Sequence, residues 1–137
     1  MAKRTEAYVD TSALIAFADQ SDTHHHLFAR LFSSPPSLVT CSLVIAEGHG
    51  WFLKRFDRTR ALQFLNLVGA LTPLKVHSVG AVELDEANRL LTDFSDQDLT
   101  LADAVGLHLM RSRHVKTCWS TDFHLGLTGV PLVIHEH

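Results

Sequence analysis

Four acidic side chains, spread along the chain, are the residues best suited to chemistry: Asp10, Glu47, Asp103 and Asp122. Carboxylates that a fold brings close together repel one another, and each is driven toward protonation unless a cation lies between them. Mg²⁺ or Mn²⁺ is the natural cation, because it takes hard oxygen ligands and leaves room for phosphates. If the fold gathers these acids, the sequence predicts a divalent-metal site that acts on phosphate groups.

The elements that must position the acids alternate between short apolar strands and helices. Helices fill the segments between the first four strands, and the strands are predicted at 7–9, 38–41, 74–79, 116–120 and 130–135, with a loop over 121–129. This alternation predicts an α/β fold with a parallel sheet covered by helices on both faces. Functional residues in such folds lie at the carboxyl ends of the strands. Asp10 and Asp122 follow two of the predicted strands, and Asp103 opens the helix that leads to Asp122.

Polar residues mark where the helices begin. The candidate N-caps are Ser12, Ser21 or Asp22, Asp57 and Thr100. Thr100 and Asp103 have the spacing of a capping box, in which each side chain binds the backbone amide of the other. Asp103 could therefore be only half of a cap, and a single Asp after a strand is commonly a turn residue. The ordered set of four acids, rather than any one of them, indicates a site.

Composition limits the class of protein. The chain has 137 residues, 46% of them hydrophobic and 20% charged, which predicts one globular domain over 1–137 rather than a disordered chain. Two separated cysteines, Cys41 and Cys118, are expected to be small core residues, which fits a reducing cytoplasm better than a disulfide scaffold. The charged start of the chain leads into no apolar segment, so we expect neither a signal peptide nor a membrane span.

Net charge also bears on the partner. The 15 acidic and 12 basic residues give −3, which on its face disfavours a polyanionic partner. Setting aside the four candidate acids leaves 11 acidic residues against 12 basic residues. We therefore interpret the charge as an acidic hollow in a roughly neutral surface, and this pattern does not oppose a polyanionic partner.

The segments around the four acids resemble a known family. The segments read YVDTSAL at 8–14, AE at 46–47, LADA at 101–104 and STDF at 120–123. In order and spacing they are similar to the four acidic motifs of PIN-domain ribonucleases, and the nearest group is the VapC-type toxins of toxin–antitoxin pairs. The resemblance covers essentially the whole chain. It implies a three-layer α/β/α sandwich with a mainly parallel sheet of about four to five short strands.

The resemblance also implies an activity and partners. It implies a Mg²⁺- or Mn²⁺-dependent endoribonuclease, with transfer RNA or exposed ribosomal RNA loops among the substrates, a cognate antitoxin protein and a homodimer formed through apolar helices. The residues carried over as catalytic and metal-binding are Asp10, Glu47, Asp103 and Asp122. Asp22 also matches a pattern common in the family, with a secondary role beside the site.

Other residues have supporting roles in this hypothesis. Ser12 and Thr121 neighbour two of the acids and can orient a water or a carboxylate. A basic cluster with one tryptophan is a candidate contact for RNA or an antitoxin: Lys54, Arg55, Arg58 and Arg60, with Trp51. The run of His24, His25 and His26 is expected to face solvent rather than bind metal.

Two other classes of function fit an acidic pocket. An Asp-nucleophile phosphatase places an Asp after its first strand, but it needs a second Asp two residues on, where this chain has Ser12. A non-catalytic signalling domain with an acidic pocket would carry paired acids on the first strand and a Lys after a later one. Trapping with a mimic of the phosphate transition state separates both classes from attack by a metal-bound water, because only an aspartyl nucleophile forms an adduct.

Overall fold

A four-stranded parallel sheet lies at the centre of the protein. The structure is a computed structural model that describes residues 6–137, so the start of the chain, where no signal peptide is expected, lies outside the described residues. The strands are β1 (Glu6–Val9), β2 (Ser37–Cys41), β3 (Leu74–His77) and β4 (Thr117–Trp119). They lie in the order β3-β2-β1-β4, and every pair is parallel. The predicted parallel sheet of about four to five strands is confirmed.

Six α-helices connect and flank the strands. They are α1 (Thr11–Ala18), α2 (His25–Ser33), α3 (Ser42–Arg55), α4 (Arg58–Gly69), α5 (Ala81–Asp93) and α6 (Leu101–Ser112), and two 3₁₀ helices follow at Phe123–Gly126 and Val133–His135. In sequence order the α-helices pack as neighbouring pairs: α1 with α2, α3 with α4 and α5 with α6. No helix in the described part of the chain has the length and apolarity needed to span a membrane. The α/β prediction is confirmed.

The core forms where β1 is covered on all sides. Ala7, Tyr8 and Val9 are fully buried, because β1 is hydrogen-bonded to β2 on one side and to β4 on the other. Helix α6 reaches this strand closely at Gly106, where a Cβ atom would lie 3.0 Å from the ring and hydroxyl of Tyr8. This close approach fixes the start of α6, with its acidic residue, relative to the end of β1.

Both cysteines belong to the core. Cys41, the last residue of β2, and Cys118, the middle residue of β4, are buried free thiols, as predicted. The hydroxyl of Tyr8 lies 3.6 Å from the Cys41 sulfur. Burial raises the pKa of Tyr8 and that of Cys118 well above their ordinary values, so both groups stay uncharged in the core.

Several local predictions are wrong. Ser12 does not cap α1: the N-cap is Asp10, so the helix begins at Thr11, two residues earlier than predicted. The predicted last strand, 130–135, makes only one bridge, between Leu132 and Cys118, before a 3₁₀ helix begins. The predicted loop 121–129 contains the other 3₁₀ helix, and the third strand ends at His77. In each case hydrogen bonds between neighbouring elements, rather than local apolar patterning, decide where an element ends.

The prediction that Ser21 or Asp22 caps α2 is wrong, because the N-cap is His24 and both residues bond within the α1–α2 turn instead. Asp22 accepts a hydrogen bond from the amide of His24, and α2 begins immediately after His24. The expectation that the histidine run faces solvent holds for His26, which is exposed. His25 differs, because its Nδ1 lies 2.8 Å from the carbonyl oxygen of Ala16 and joins α2 to the end of α1.

Candidate metal centre

Asp10 lies at the carboxyl edge of the sheet, between the ends of β1 and β4. Its side chain is 7% exposed, and its Oδ2 accepts hydrogen bonds from the hydroxyls of Ser12 and Ser120, each at 2.9 Å. Each hydroxyl oxygen in turn accepts a backbone amide, that of Thr121 on Ser12 and that of Asp122 on Ser120. Two serines therefore tie the first candidate acid to the segment that carries the last one.

Asp103 reaches the same edge from the first turn of α6. It forms the predicted capping box, because its amide donates to the Thr100 hydroxyl and its Oδ2 accepts from the Thr100 amide. The side chain is 8% exposed. Asp103, Asp122 and His124 each offer one ligand atom, and these atoms all lie within 4.8 Å of one another. Asp103 can therefore cap α6 and take part in the candidate metal centre, since each role uses only part of its carboxylate.

Asp122 and His124 belong to one turn. Asp122 caps the first 3₁₀ helix, because its Oδ1 accepts from the backbone amide of His124 at 3.0 Å. The Nδ1 of the His124 ring lies 2.9 Å from the same oxygen. A carboxylate oxygen can only accept, so the ring proton belongs on Nδ1 and the lone pair on Nε2. This tautomer is the one in which an imidazole can bind a metal through Nε2.

Glu47 approaches from α3 and lies at the exposed rim. Its Oε1 accepts a 2.7 Å hydrogen bond from the hydroxyl of Thr11, at the start of α1. The charges that act on Glu47 are those of Asp10 and Asp103, so the structure brings all four candidate acids to one edge of the sheet. Thr11 is a contact that the sequence analysis did not anticipate.

Asp10, Glu47 and Asp103 have raised pKa values. Burial raises the pKa of Asp10 and that of Asp103, although the serine hydroxyls on Asp10 and the Thr100 amide on Asp103 act in the opposite direction. Partial burial also raises the pKa of Glu47. Repulsion adds to each shift: Asp103 acts on Asp10, and Asp122 acts on Asp103. The group holds more negative charge than the fold alone compensates.

The chemistry of this donor set fits a divalent cation. Carboxylate oxygens suit Mg²⁺ and Mn²⁺, and an imidazole nitrogen adds a donor that Mn²⁺ accepts well. A cation among these groups would offset the repulsion between the carboxylates. Asp103, Asp122 and His124 are close enough to share one ion, and Asp10 and Glu47 lie next to them.

The supporting residues have different positions. Ser12 contacts Asp10 directly, whereas Thr121 contributes its backbone amide. Asp22 lies in the α1–α2 turn, and its described hydrogen bond is to His24 rather than to an acid of the site.

The basic cluster lies along the end of α3 and the start of α4. Lys54, Arg55 and Arg58 are exposed. Trp51 is partly buried, with the Arg55 guanidinium 5.8 Å from its ring centroid. Arg60 lies over Phe56 at 4.2 Å. Aromatic packing therefore orders the guanidinium groups of Arg55 and Arg60.

Sequence reasoning missed two residues of the site, Ser120 and His124. Each lies two positions from Asp122, one before it and one after it. A small hydroxyl residue at the last position of a buried strand and a histidine one turn later were the available signals. Neither is specific without the hydrogen bonds that the fold supplies.

Comparison with known proteins identifies the family. The PIN domain family matches residues 7–126 of this chain. The chain is 30% identical to the ribonuclease VapC26 of Mycobacterium tuberculosis over 116 residues, which cover 83% of this chain and 84% of that protein.

Solved structures share the fold. VapC20 of Mycobacterium tuberculosis, described as a toxin that cleaves the sarcin–ricin loop, matches with a TM-score of 0.82 at 22% identity and covers 90% of this chain and 95% of its own. VapBC2 of Rickettsia felis, solved with a DNA fragment from its promoter, matches with a TM-score of 0.63 at 12% identity, over 93% of this chain and 97% of that one. The acids at the sheet edge, the matched family and the shared fold agree: this chain belongs to the PIN domain family, in its VapC-type group.

Proposed function

We propose that this protein is a divalent-metal-dependent endoribonuclease and the toxin of a toxin–antitoxin pair. The observation that carries the proposal is the convergence of Asp10, Glu47, Asp103 and Asp122 at one edge of the sheet, with burial and mutual repulsion raising the pKa of three of them. Such a group suits a cation and, through it, an anionic substrate. The names of the relatives, a ribonuclease and an RNA-cleaving toxin, support RNA as that substrate.

The acidic and histidine side chains that lie closest together would bind the cation. Asp103, Asp122 and His124 would bind it, with Asp10 and Glu47 beside them. Mg²⁺ is the expected cofactor, with Mn²⁺ as a substitute. When bound, such a cation lowers the pKa of a water and offsets negative charge on a phosphodiester. The Ser12 and Ser120 hydroxyls at this edge both donate to Asp10, so we assign them to orienting its carboxylate.

Asp10 is the better of two candidate acceptors for the proton of the attacking water. Burial raises its pKa, and a base whose pKa lies nearer neutrality accepts a proton more readily. The Oδ1 of Asp122, the other candidate, already accepts both the amide and the ring of His124. The hydroxyls of Ser12 and Ser120 hold Asp10 by Oδ2, which fixes the direction of its carboxylate.

An antitoxin is the proposed partner at a second surface, formed by α3 and α4. Leu53 and Phe56 are 46% and 41% exposed there, and they lie among Lys54, Arg55 and Arg58. Apolar side chains with basic neighbours suit an amphipathic segment that carries acidic residues. Two solved toxin–antitoxin assemblies with the same fold support a protein partner.

The remaining proposals concern assembly and location. A homodimer through the apolar helices stays a prediction, to be checked by sedimentation of the purified chain. An RNA substrate implies action in the cytoplasm.

The test is cleavage of RNA by the Asp10→Asn variant. With Mg²⁺, the variant should cleave cellular RNA about 100-fold or more slowly than the wild type, because it loses the proton acceptor and a charge of the site. Asp93→Asn, an exposed acid near the end of α5, is the matched control and should cleave normally. Wild-type rates in Asp10→Asn, or full activity in EDTA, would contradict the proposal. Induced expression should arrest growth only with cleavage-competent chains.

A further inference from the structure

Phe123 is an exposed aromatic ring directly beside a candidate metal ligand. Its side chain is 64% exposed, whereas Leu125, two residues later in the same 3₁₀ helix, is fully buried. Leu125 therefore anchors this turn to the core, and Phe123 does not. An aromatic ring in water contributes little to folding, so stability gives no reason for this residue type at this position.

The ring is ordered before anything binds to it. Its centroid lies 4.2 Å from that of the His124 imidazole, with 31° between the planes. The imidazole is itself fixed to Asp122 through Nδ1. An aromatic side chain that is already supported loses little conformational freedom when a ligand stacks on it.

We propose that Phe123 is a stacking platform for one base of the RNA, in the nucleotide next to the scissile phosphate. The inference rests on the proposed function, because Asp122 would hold the cation that meets that phosphate. Phe123 is the next residue in the chain, and its ring packs against the imidazole of His124, which belongs to the candidate cation group, so the ring borders that group. Bases of single-stranded RNA stack on exposed aromatic rings, and such stacking tolerates every base.

The surroundings favour a base over a protein partner at this ring. A protein partner needs a contiguous apolar surface, such as the one that Leu53 and Phe56 provide on α3. Among the residues within two positions of the four acids, the exposed large hydrophobic ones are Phe123 and, at the start of α6, Leu101, which is 43% exposed. A single ring beside four carboxylates matches one base whose phosphate enters the site.

The test measures RNA affinity directly, in an Asp10→Asn background in which cleavage is expected to be slow. The probe is a fluorescent single-stranded RNA of about 20 nucleotides, containing all four bases, with Mg²⁺ present. Phe123→Ala and Phe123→Leu should each weaken binding by about 5- to 150-fold, because both lose the π surface. Phe123→Tyr and Phe123→Trp keep a ring and should stay within about two-fold. Val82→Ala, which truncates an exposed apolar side chain (68% exposed) near the start of α5, outside both proposed surfaces, is the control and should bind normally.

Abasic substitutions locate the base that stacks. Moving one abasic nucleotide along the RNA should weaken binding at a single position next to the mapped cleavage site, and this loss should vanish in Phe123→Ala. Equal affinities for Phe123→Ala, Phe123→Leu and the parent would overturn the inference. If Phe123→Tyr lost as much RNA affinity as Phe123→Leu, the stacking inference would also be overturned. If Phe123 controls RNA affinity but the wild type cleaves no RNA, the proposed function fails and the stacking site stands.

Discussion

Ser120 shows how much of the site depends on one buried hydroxyl. Ser120 is fully buried; its oxygen donates to Asp10 and accepts from the amide of Asp122. Ser12 makes the equivalent pair of contacts with Asp10 and Thr121, but it is only partly buried. The two serines place the first and last acids relative to each other without any direct contact between the carboxylates.

Removal of the Ser120 hydroxyl should therefore weaken both the fold and the site. In Ser120→Ala the amide of Asp122 loses its acceptor in a buried place, which should cost about 1–3 kcal/mol in the free energy of unfolding. Asp10 also loses one of its two donors, so Mn²⁺ affinity should fall. Urea unfolding and a calorimetric Mn²⁺ titration measure the two effects. Ser112→Ala, at the exposed end of α6, is the control; an unchanged Mn²⁺ affinity in Ser120→Ala would contradict the positioning role.

At the scale of elements, the position of Glu47 depends on the packing of α3 against α4. Gly48, the residue after Glu47, lies so close to the Phe64 ring of α4 that a methyl group would overlap it. Phe64 cannot move aside freely, because it is buried and stacks on Phe52 at 5.2 Å. The helix pair can close only with glycine at this point.

Two glycines of the same helix give a matched comparison. Gly48→Ala should destabilise the protein by about 1–3 kcal/mol through overpacking against Phe64. Gly50→Ala, with no atom within 4 Å of the added carbon, should stabilise the protein by about 0.5–1 kcal/mol, since alanine is the better helix former. Thermal unfolding of both variants checks the prediction. Equal changes in unfolding temperature in the two variants would show that helix propensity, rather than α3–α4 packing, determines their stability.

For the whole molecule, the acidic site makes stability depend on pH and on divalent ions. Asp103 has a raised pKa in the folded state, from burial first and from Asp122 second. The folded protein therefore binds more protons than the unfolded chain as pH rises from the ordinary value of 3.8. Its contribution to stability is present below that value and is lost as pH rises through the folded pKa.

Asp103→Asn tests the direction of this pH dependence, because asparagine keeps an acceptor for the Thr100 amide but carries no charge. In EDTA, the variant should gain stability relative to the wild type as pH rises from about 4 to 7. With divalent ions near neutrality the wild type should instead be more stable than the variant. A ligand at 100 times its dissociation constant stabilises the folded state by about 2.7 kcal/mol. Urea unfolding across this pH range, with and without Mg²⁺, measures both. A difference that does not change with pH would contradict the raised pKa.

The sequence predicts those features of the fold and the site that depend on residues close together in the chain. Apolar runs that alternate with helical segments determined the α/β class and the positions of β1 and β2, because burial of such runs is a local pattern. Short motifs around Asp10, Glu47, Asp103 and Asp122 indicated the candidate acids. The capping box of Thr100 was also visible, since its two residues are three positions apart.

Tertiary structure alone decided the contacts between distant segments. Ser120 and Ser12 are 108 positions apart, yet their hydroxyl oxygens lie within 3.1 Å, and no local pattern encodes that pairing. The predicted last strand was wrong for the same reason: its apolar pattern suits a strand, but only Leu132 finds a partner on β4. The sequence by itself determined which acids this protein carries and on which elements. The parallel sheet decided that they meet, because it brings the carboxyl ends of separate strands to one edge.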